Sequence, residues 1–512
     1  MMTRSQLLGV FLGGVLVGAS VTWWIVRPRP AAHDRGAQVV ATPSALTPAP
    51  ASAPTMVPGE PVERPNVVLV IVCTLRKDQL SFYGGHPAAS PFLAGLAEQG
   101  AVFDDAYDAA PWTKAASTAI MTGHHAVQVG MVEPGTGSNR RRLADEVNTL
   151  AEAFDGAGYW TIGLTANPNT NAVFGFHQGF DDYVEATDLW RSGMVKVSGR
   201  KVASLALEAV DRRSDPESPL YLRMMILDPH EPIKVSARDA RAFRDDDTPA
   251  RIARYRAMVA RMDEAVEDLW VGLEERGFDR SNTVLALIND HGEGLSFPRH
   301  HGIGHGNLTF SSTVSMPWLV YGAGIAQHHR IGGVASQIDV MPTLLGLAGV
   351  EGYDGPGRDW SAQARGAART DLDAAYVDTW FQGASRAAVY TPEVSCHRDF
   401  RTPEQLGDKV RKLSPLACYA HSDPYQRSEL PAVDDPAVAM LDTWRAERLE
   451  EYEAFPFKAD ALMSRAMKDQ LEALGYIDAD NEVPLTGRGA RAAAGAELAD
   501  TDVADTDVDF ED

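Results

Sequence analysis

Residues 64–78 read RPNVVLVIVCTLRKD. The run from 67 to 72 is unbroken apolar sequence rich in β-branched residues, the pattern of a strand buried on both faces at the centre of a parallel sheet. Polar residues follow at once: Cys73, Thr74, Arg76, Lys77 and Asp78. In open α/β sheets, ligands bind at the carboxyl ends of the central strands. Cys73, the first residue past the run, is therefore where chemistry is expected.

Working outward, the same rhythm repeats. Residues 90–100 (SPFLAGLAEQG) have helical spacing and end on a glycine. Residues 110–123 (APWTKAASTAIMTG) place Thr113 just ahead of a small-residue helical stretch. A hydroxyl there stands beside free N–H groups and the positive end of the helix dipole, which suits a nucleophile attacking an anionic ester. A plain N-cap is the commoner fate of such a threonine. A helix is expected over 143–158, and strands over 159–165, 221–227, 283–288 and 317–321. The strand at 221–227 runs into Asp228-Pro229-His230, and the one at 283–288 into Asn289-Asp290-His291-Gly292-Glu293-Gly294. A histidine-rich loop with His300, His301 and His305 follows. The clearest helix covers 251–277, where Met258, Met262, Val266, Leu269 and Leu273 recur at three- and four-residue intervals. Alternating strands and helices imply a doubly wound, mostly parallel α/β sheet.

The ends of the 512-residue chain differ from its middle. Residues 7–26 are twenty residues without a charge, enough to span a bilayer, and are expected to anchor the chain in a membrane; a cleaved signal is the competing reading. A Pro/Ala-rich linker covers 27–64. Residues 373–480 read as a smaller C-terminal α+β subdomain, with short strands, then helices over 438–455 and 459–475. Residues 481–512 form an acidic tail without core-forming pattern. The main α/β domain is assigned to 65–372. A net charge of −23 argues against nucleic acid as a partner. Of the three cysteines, Cys396 and Cys418 lie close enough in sequence to pair outside the cytoplasm, and equally to remain two thiols.

Three strand ends thus carry Cys73, Asp228 with His230, and Asp290 with His291, while Thr113 heads a helix. Each histidine alone reads as a loop residue with a local hydrogen bond. Their shared placement after strands is the signal. Asp290 and His291 in a glycine-flanked turn suit a metal, which would activate Thr113 and hold a phosphoryl or sulfuryl oxygen.

The motifs PNVVLVIVCTLR, APWTKAASTAIMTG, ANPN…GFHQGFDDY, LDPHEP, NDHGEG, GHGN and IDVMPTLLGLAGV, with later echoes in CYAHSDPYQRSEL and LEALGYI, run in one order from about residue 65 to 477. Together they resemble the sulfatase family of the alkaline phosphatase superfamily. The resemblance implies an alkaline-phosphatase-like α/β core with a C-terminal subdomain carrying a small antiparallel sheet. It also implies hydrolysis or transfer of sulfate, phosphate or phosphonate esters at a divalent metal. Thr113 falls where sulfatases carry the cysteine that becomes formylglycine, and threonine is the nucleophile in phosphate-transferring relatives. Asp290 and His291 match metal ligands, with Cys73 and Thr113 completing the set. His230 and His305 match catalytic groups that also touch the ester, and Lys114 and Asn167 join them as substrate-contacting residues.

Three departures stand out. Cys73 replaces the usual metal-binding aspartate, and Lys114-Ala115-Ala116-Ser117 replaces the usual Pro, Ser and Arg after the nucleophile. After GHG, Leu308 to Ser312 replace the usual Tyr and acidic residue. A thiolate is a poor calcium ligand, so zinc or manganese is expected over calcium. Two functions follow from these residues. One is an extracytoplasmic, membrane-anchored metallohydrolase or transferase (periplasmic or cell-surface) acting on an anionic ester through Thr113. The alternative is a degenerate sulfatase-fold protein that binds an anionic ligand or partner without turnover.

Overall fold

The apolar run forms β1 (Asn66–Val72), and from Val67 to Val72 none of its side chains reaches solvent. Such burial requires cover on both faces, and the sheet has it. The computed structural model describes residues 55–476, apart from 136–138, 191–195, 246–247, 297–303, 369–373, 403–414 and 432–434. The remaining strands are β2 (Ala101–Tyr107), β3 (Arg141–Arg142), β4 (Trp160–Thr165), β5 (Asp182–Glu185), β6 (Leu220–Ile226), β7 (Thr283–Asn289), β8 (Trp318–Gly322), β9 (His329–Ser336), β10 (Ala375–Thr379), β11 (Arg386–Tyr390), β12 (Val394–Asp399), β13 (Leu416–Ala420), β14 (Glu429–Leu430) and β15 (Ala459–Asp460).

Eight strands make the large sheet in the order β5-β4-β6-β1-β7-β8-β2-β9. β1 pairs in parallel with β6 on one side and β7 on the other. β8 alone runs against its neighbours. The register brings Val72 of β1 level with Ile226 of β6 and Asn289 of β7, so the residues that follow all three strands emerge at one edge. Two groups of mutually packed helices flank the sheet. One contains Pro91–Glu98, Gly199–Asp211 and Ala250–Glu274; the other contains Thr113–Thr122, Leu150–Gly156 and Val340–Ala348.

β10 to β14 form a separate antiparallel meander, in sequence order. Cys396 and Cys418 face each other across β12 and β13 and are joined by a disulfide, which resolves the pairing that the sequence leaves open. The expected helix over 459–475 is shorter, Arg465–Ala473, because Ala459–Asp460 is drawn into a strand pair with Arg141–Arg142. The expected helix over 143–158 starts only at Leu150. Thr149 and Glu152 build a reciprocal capping box there and fix the first turn.

All three sheets, the eight-stranded, the five-stranded and the β3–β15 pair, belong to the unit that begins at Pro54. The apolar run at 7–26, most of the linker, His300, His301 and the acidic tail lie outside the described residues. So does the 372/373 boundary assigned between domain and subdomain. Among the described residues, no helix is long and apolar enough to cross a membrane.

Candidate metal and nucleophile site

Thr113 is the first residue of the helix Thr113–Thr122, whose N-cap position is held by Trp112 without a side-chain cap. Its hydroxyl therefore does not spend itself on the helix end, as a capping threonine would. Instead Oγ1 lies 3.2 Å from His291 Nε2, 2.8 Å from the Tyr476 hydroxyl and 3.7 Å from Cys73 Sγ. Asn167, in the turn after β4, donates from Nδ2 to Thr113 Oγ1 at 3.2 Å and to Cys73 Sγ at 3.4 Å. Thr113, Cys73, Asn167, Asp290 and His291 are all fully buried.

Local backbone explains how these groups meet. Cys73 directly follows β1, and Thr74 turns the chain with φ of 57°, a left-handed conformation costly for a β-branched residue. The turn aims the Thr74 N–H at Asp290 Oδ1, 3.1 Å away, and the His291 N–H reaches the same oxygen at 2.8 Å. Asp290 Oδ2 is buried and has no hydrogen-bond partner among the described residues. It lies 3.5 Å from His291 Nε2.

The His291 Nδ1 atom is 2.9 Å from the Gly292 carbonyl, which can only accept, so the proton belongs on Nδ1. Nε2 then presents a lone pair to Thr113 and to the orphaned carboxylate oxygen. Burial holds His291 neutral by lowering its pKa to about 4. Burial, reinforced by the nearby Asp290 charge, pushes the Cys73 thiol well above its ordinary range. Ligand atoms of Cys73, Asp290 and His291 all lie within 4.8 Å of one another. A thiol, an imidazole lone pair and an unpaired carboxylate oxygen form the S/N/O donor set that a zinc-type ion takes. The residues present fit a divalent metal.

A second ring of groups surrounds this cluster. His230, after β6, donates Nδ1–H to the Glu231 carbonyl at 2.5 Å and turns Nε2 toward the Tyr476 hydroxyl, 3.5 Å away. Burial and the neighbouring His305 lower its pKa to about 3. His305 approaches the Glu293 carboxylate through Nδ1 at 3.2 Å, and its ring lies 4.3 Å from that of His291 and 5.2 Å from that of His230. Burial pushes the Glu293 carboxyl up, but the His305 pairing outweighs it and leaves the group at about 2. Lys196 donates to the Asp228 and His230 carbonyls and is lowered to about 8 by its burial.

Of the residues singled out in the sequence, Cys73, Thr113, Asn167, His230, Asp290, His291 and His305 converge. Lys114 does not join them. Its ammonium is buried, donates to the Asn139 and Arg141 carbonyls and sits 3.5 Å above the Phe174 ring, with no site group among its partners. That placement removes the ground for treating Lys114 as a substrate contact and makes it a tie between the helix Thr113–Thr122 and the chain entering β3. Three residues escaped the sequence reading. Glu293 was visible inside NDHGEG, where an acid two residues past a ligand histidine is a usable signal. Tyr476 stands inside the quoted LEALGYI stretch, which does not reveal what its hydroxyl meets, and Lys196 left no signal, because a lysine before a helix is an ordinary surface pattern.

The fold around this strand-edge cluster is the α/β fold of the alkaline phosphatase superfamily. A family model described as Sulfatase matches residues 65–350, more than half of the chain, and the chain belongs to the sulfatase family. An arylsulfatase of Clostridium perfringens is 24% identical over 371 residues, covering 56% of this chain and 75% of that protein. A structure described under glycosaminoglycan metabolism by Bacteroides thetaiotaomicron superposes with a TM-score of 0.60 at 18% identity, covering 76% of this chain and 97% of the other. A phosphonate monoester hydrolase from Silicibacter pomeroyi superposes with a TM-score of 0.54 at 16% identity, covering 77% and 96%. These likenesses establish the fold.

Proposed function

We propose that this chain is a metal-dependent hydrolase or transferase of phosphate, phosphonate or sulfate esters, with Thr113 as nucleophile. One observation carries the reading. The Thr113 hydroxyl heads a helix without capping it, and is drawn instead to the His291 lone pair beside the Cys73–Asp290–His291 cluster. Cys73, Asp290, His291 and Thr113 would hold the ion, and zinc or manganese suits them better than calcium because calcium takes oxygen ligands. When bound, such an ion supplies Lewis acidity, which lowers the hydroxyl pKa and draws in an anionic ester.

The protein's own groups divide the rest of the work. Thr113 Oγ1 loses its proton to solvent water as it attacks phosphorus or sulfur, and the bond to the departing ester oxygen breaks. The N–H groups of the helix's first turn face the negative charge of the ester. Asn167 donates to the nucleophile's other lone pair and so fixes its aim. His305, held by Glu293 through Nδ1, protonates the leaving oxygen. His230, held neutral, accepts a hydrogen bond through Nε2 from the water or alcohol that follows. Water or an alcohol then releases the Thr113 ester. Threonine has no thiol to become formylglycine, which favours phosphorus esters over sulfate. The phosphonate monoester hydrolase among the structural neighbours is consistent with that choice. The disulfide Cys396–Cys418 supports an oxidising, extracytoplasmic compartment.

The test is metal content and turnover of the purified protein with zinc, manganese and calcium, on aryl phosphate, phosphonate and sulfate. We expect one bound zinc or manganese and turnover of a phosphorus ester. A protein that binds no metal and turns nothing over, but gains both through Cys73→Asp, belongs to the degenerate class instead.

A further inference from the structure

Tyr476 lies beyond the matched family region, just past the helix Arg465–Ala473 and its terminal Gly475. Most of that helix faces solvent, with Leu471 its one buried side chain. Yet Tyr476 is 2% exposed. Its ring lies 6.0 Å from the His305 ring, 6.2 Å from the His230 ring and 6.2 Å from the Phe381 ring. Its hydroxyl reaches 2.8 Å from Thr113 Oγ1.

The hydrogen-bond arithmetic at Thr113 gives this contact meaning. His291 Nε2 has no proton, so Thr113 donates to it. Asn167 Nδ2 can only donate, and it takes one lone pair of Oγ1. The Tyr476 hydroxyl, 2.8 Å away, occupies the remaining side of Oγ1. With Asn167 on one lone pair and the tyrosine oxygen against the other side, the nucleophile has no open face for an electrophile. An ester can be attacked only after the tyrosine hydroxyl withdraws, and the seat it vacates is an oxygen-sized place next to the nucleophile. The segment carrying it is suited to withdrawal, because it is thinly packed. Its anchors are Leu471, Leu474, the Gln470 bond to the Thr187 carbonyl and the Gln382 bond to the Gly475 carbonyl.

We propose that Tyr476 caps and positions the Thr113 nucleophile, closing the site in the resting protein and giving up its place to an ester oxygen when substrate enters. The inference rests on the reading of Thr113 as nucleophile, but it can be tested apart from turnover. Cys73 is the single free thiol, the other two cysteines being disulfide-bonded, and it is fully buried 3.7 Å from Thr113 Oγ1. Its alkylation by iodoacetamide in metal-free full-length protein, at one fixed alkaline pH, reports how often the cap opens.

Tyr476→Phe, which keeps the ring and loses the hydroxyl bond, is expected to speed alkylation about fivefold, the equivalent of one net hydrogen bond. Tyr476→Ala is expected to speed it at least roughly tenfold, since ring burial is lost as well. Leu462→Ala, at an exposed site in the same region, leaves the rate unchanged and serves as control. Circular dichroism and the melting temperature verify that each variant is folded. Where Tyr476→Ala unfolds, Tyr476→Phe decides alone. Wild-type alkylation rates in both tyrosine variants overturn the proposal. Aryl phosphate turnover measured in parallel separates the two ideas: faster alkylation without any wild-type turnover keeps the cap and discards the hydrolase.

Discussion

Two buried histidine clusters, one at each sheet, are wired differently. Beyond β7, His291 has Nδ1 fixed to a backbone carbonyl and Nε2 turned toward Thr113 and the orphaned Asp290 oxygen. His230 repeats the pattern, with Nδ1 on the Glu231 carbonyl and Nε2 toward Tyr476. In β12, His397 is as deeply buried and is also held neutral, by burial, at about 3. But both of its nitrogens are satisfied. Nδ1 meets Thr309 Oγ1 at 3.0 Å, and Nε2 meets Gln426 Nε2 at 2.8 Å and Ser395 Oγ at 3.3 Å. A histidine with one nitrogen anchored and one facing a hydroxyl and an unpaired carboxylate is equipped to bind or exchange something. A histidine saturated on both sides holds the C-terminal sheet together.

The sharpest way to break this contrast is at Thr113. Thr113→Ala is expected to lower turnover roughly a thousandfold or more while leaving the melting temperature nearly unchanged, as for loss of a nucleophile. Thr113→Ser should keep part of the rate. Next comes Cys73. Cys73→Ala is expected to weaken zinc or manganese binding by about 10- to 100-fold or more, measured by metal analysis after dialysis. Cys73→Asp should move the preference toward calcium.

His397→Ala tests the other side of the comparison. It leaves Thr309 and Gln426 partly unsatisfied in a buried place and is expected to cost about 2 kcal/mol in denaturant unfolding. The rate constant for turnover should stay within about twofold of wild type, since no site group contacts His397.

The smallest effect is the acid limb of stability. His125, His230, His291 and His397 all have folded pKa values lowered by burial, to between about 3 and about 4. The unfolded chain binds protons at these positions near pH 6.5 while the folded protein does not. Stability is therefore full above about pH 6.5 and falls as pH drops toward 4. Asp228 and Asp263, raised by burial to about 6, work the opposite way over part of that window and soften the slope. A melting-temperature series should show the decline, and His397→Gln should flatten it.

Much of this was legible because long buried runs are hard to misread. β1, β6 and β7 are uninterrupted apolar sequence ending in polar clusters, and a parallel sheet brings such ends to one edge. Cys73, Asp290, His291 and His230 followed from that rule alone. What escaped depends on distant pairing. The two-residue strands β3 and β15 carry no period of their own, so Ala459–Asp460 read as helix. The Thr149–Glu152 capping box was present in the sequence as a T-x-x-E pattern, and the apolar spacing over 143–158 masked it. Lys114 sits next to Thr113 in sequence, yet successive helix residues point in different directions, and its ammonium ends among backbone carbonyls. Tyr476 comes from 363 residues beyond Thr113, a closeness that only tertiary structure creates.

The central claim is that Thr113 forms a covalent ester beside the Cys73–Asp290–His291 cluster. The most direct measurement is peptide mass mapping of zinc- or manganese-loaded protein, acid-quenched during turnover of an aryl phosphate. A single phosphoryl group on the peptide holding Thr113, and its absence in Thr113→Ala, is the result expected. Undiminished turnover in Thr113→Ala, with no phosphoryl group on that peptide in the wild type, would contradict the account.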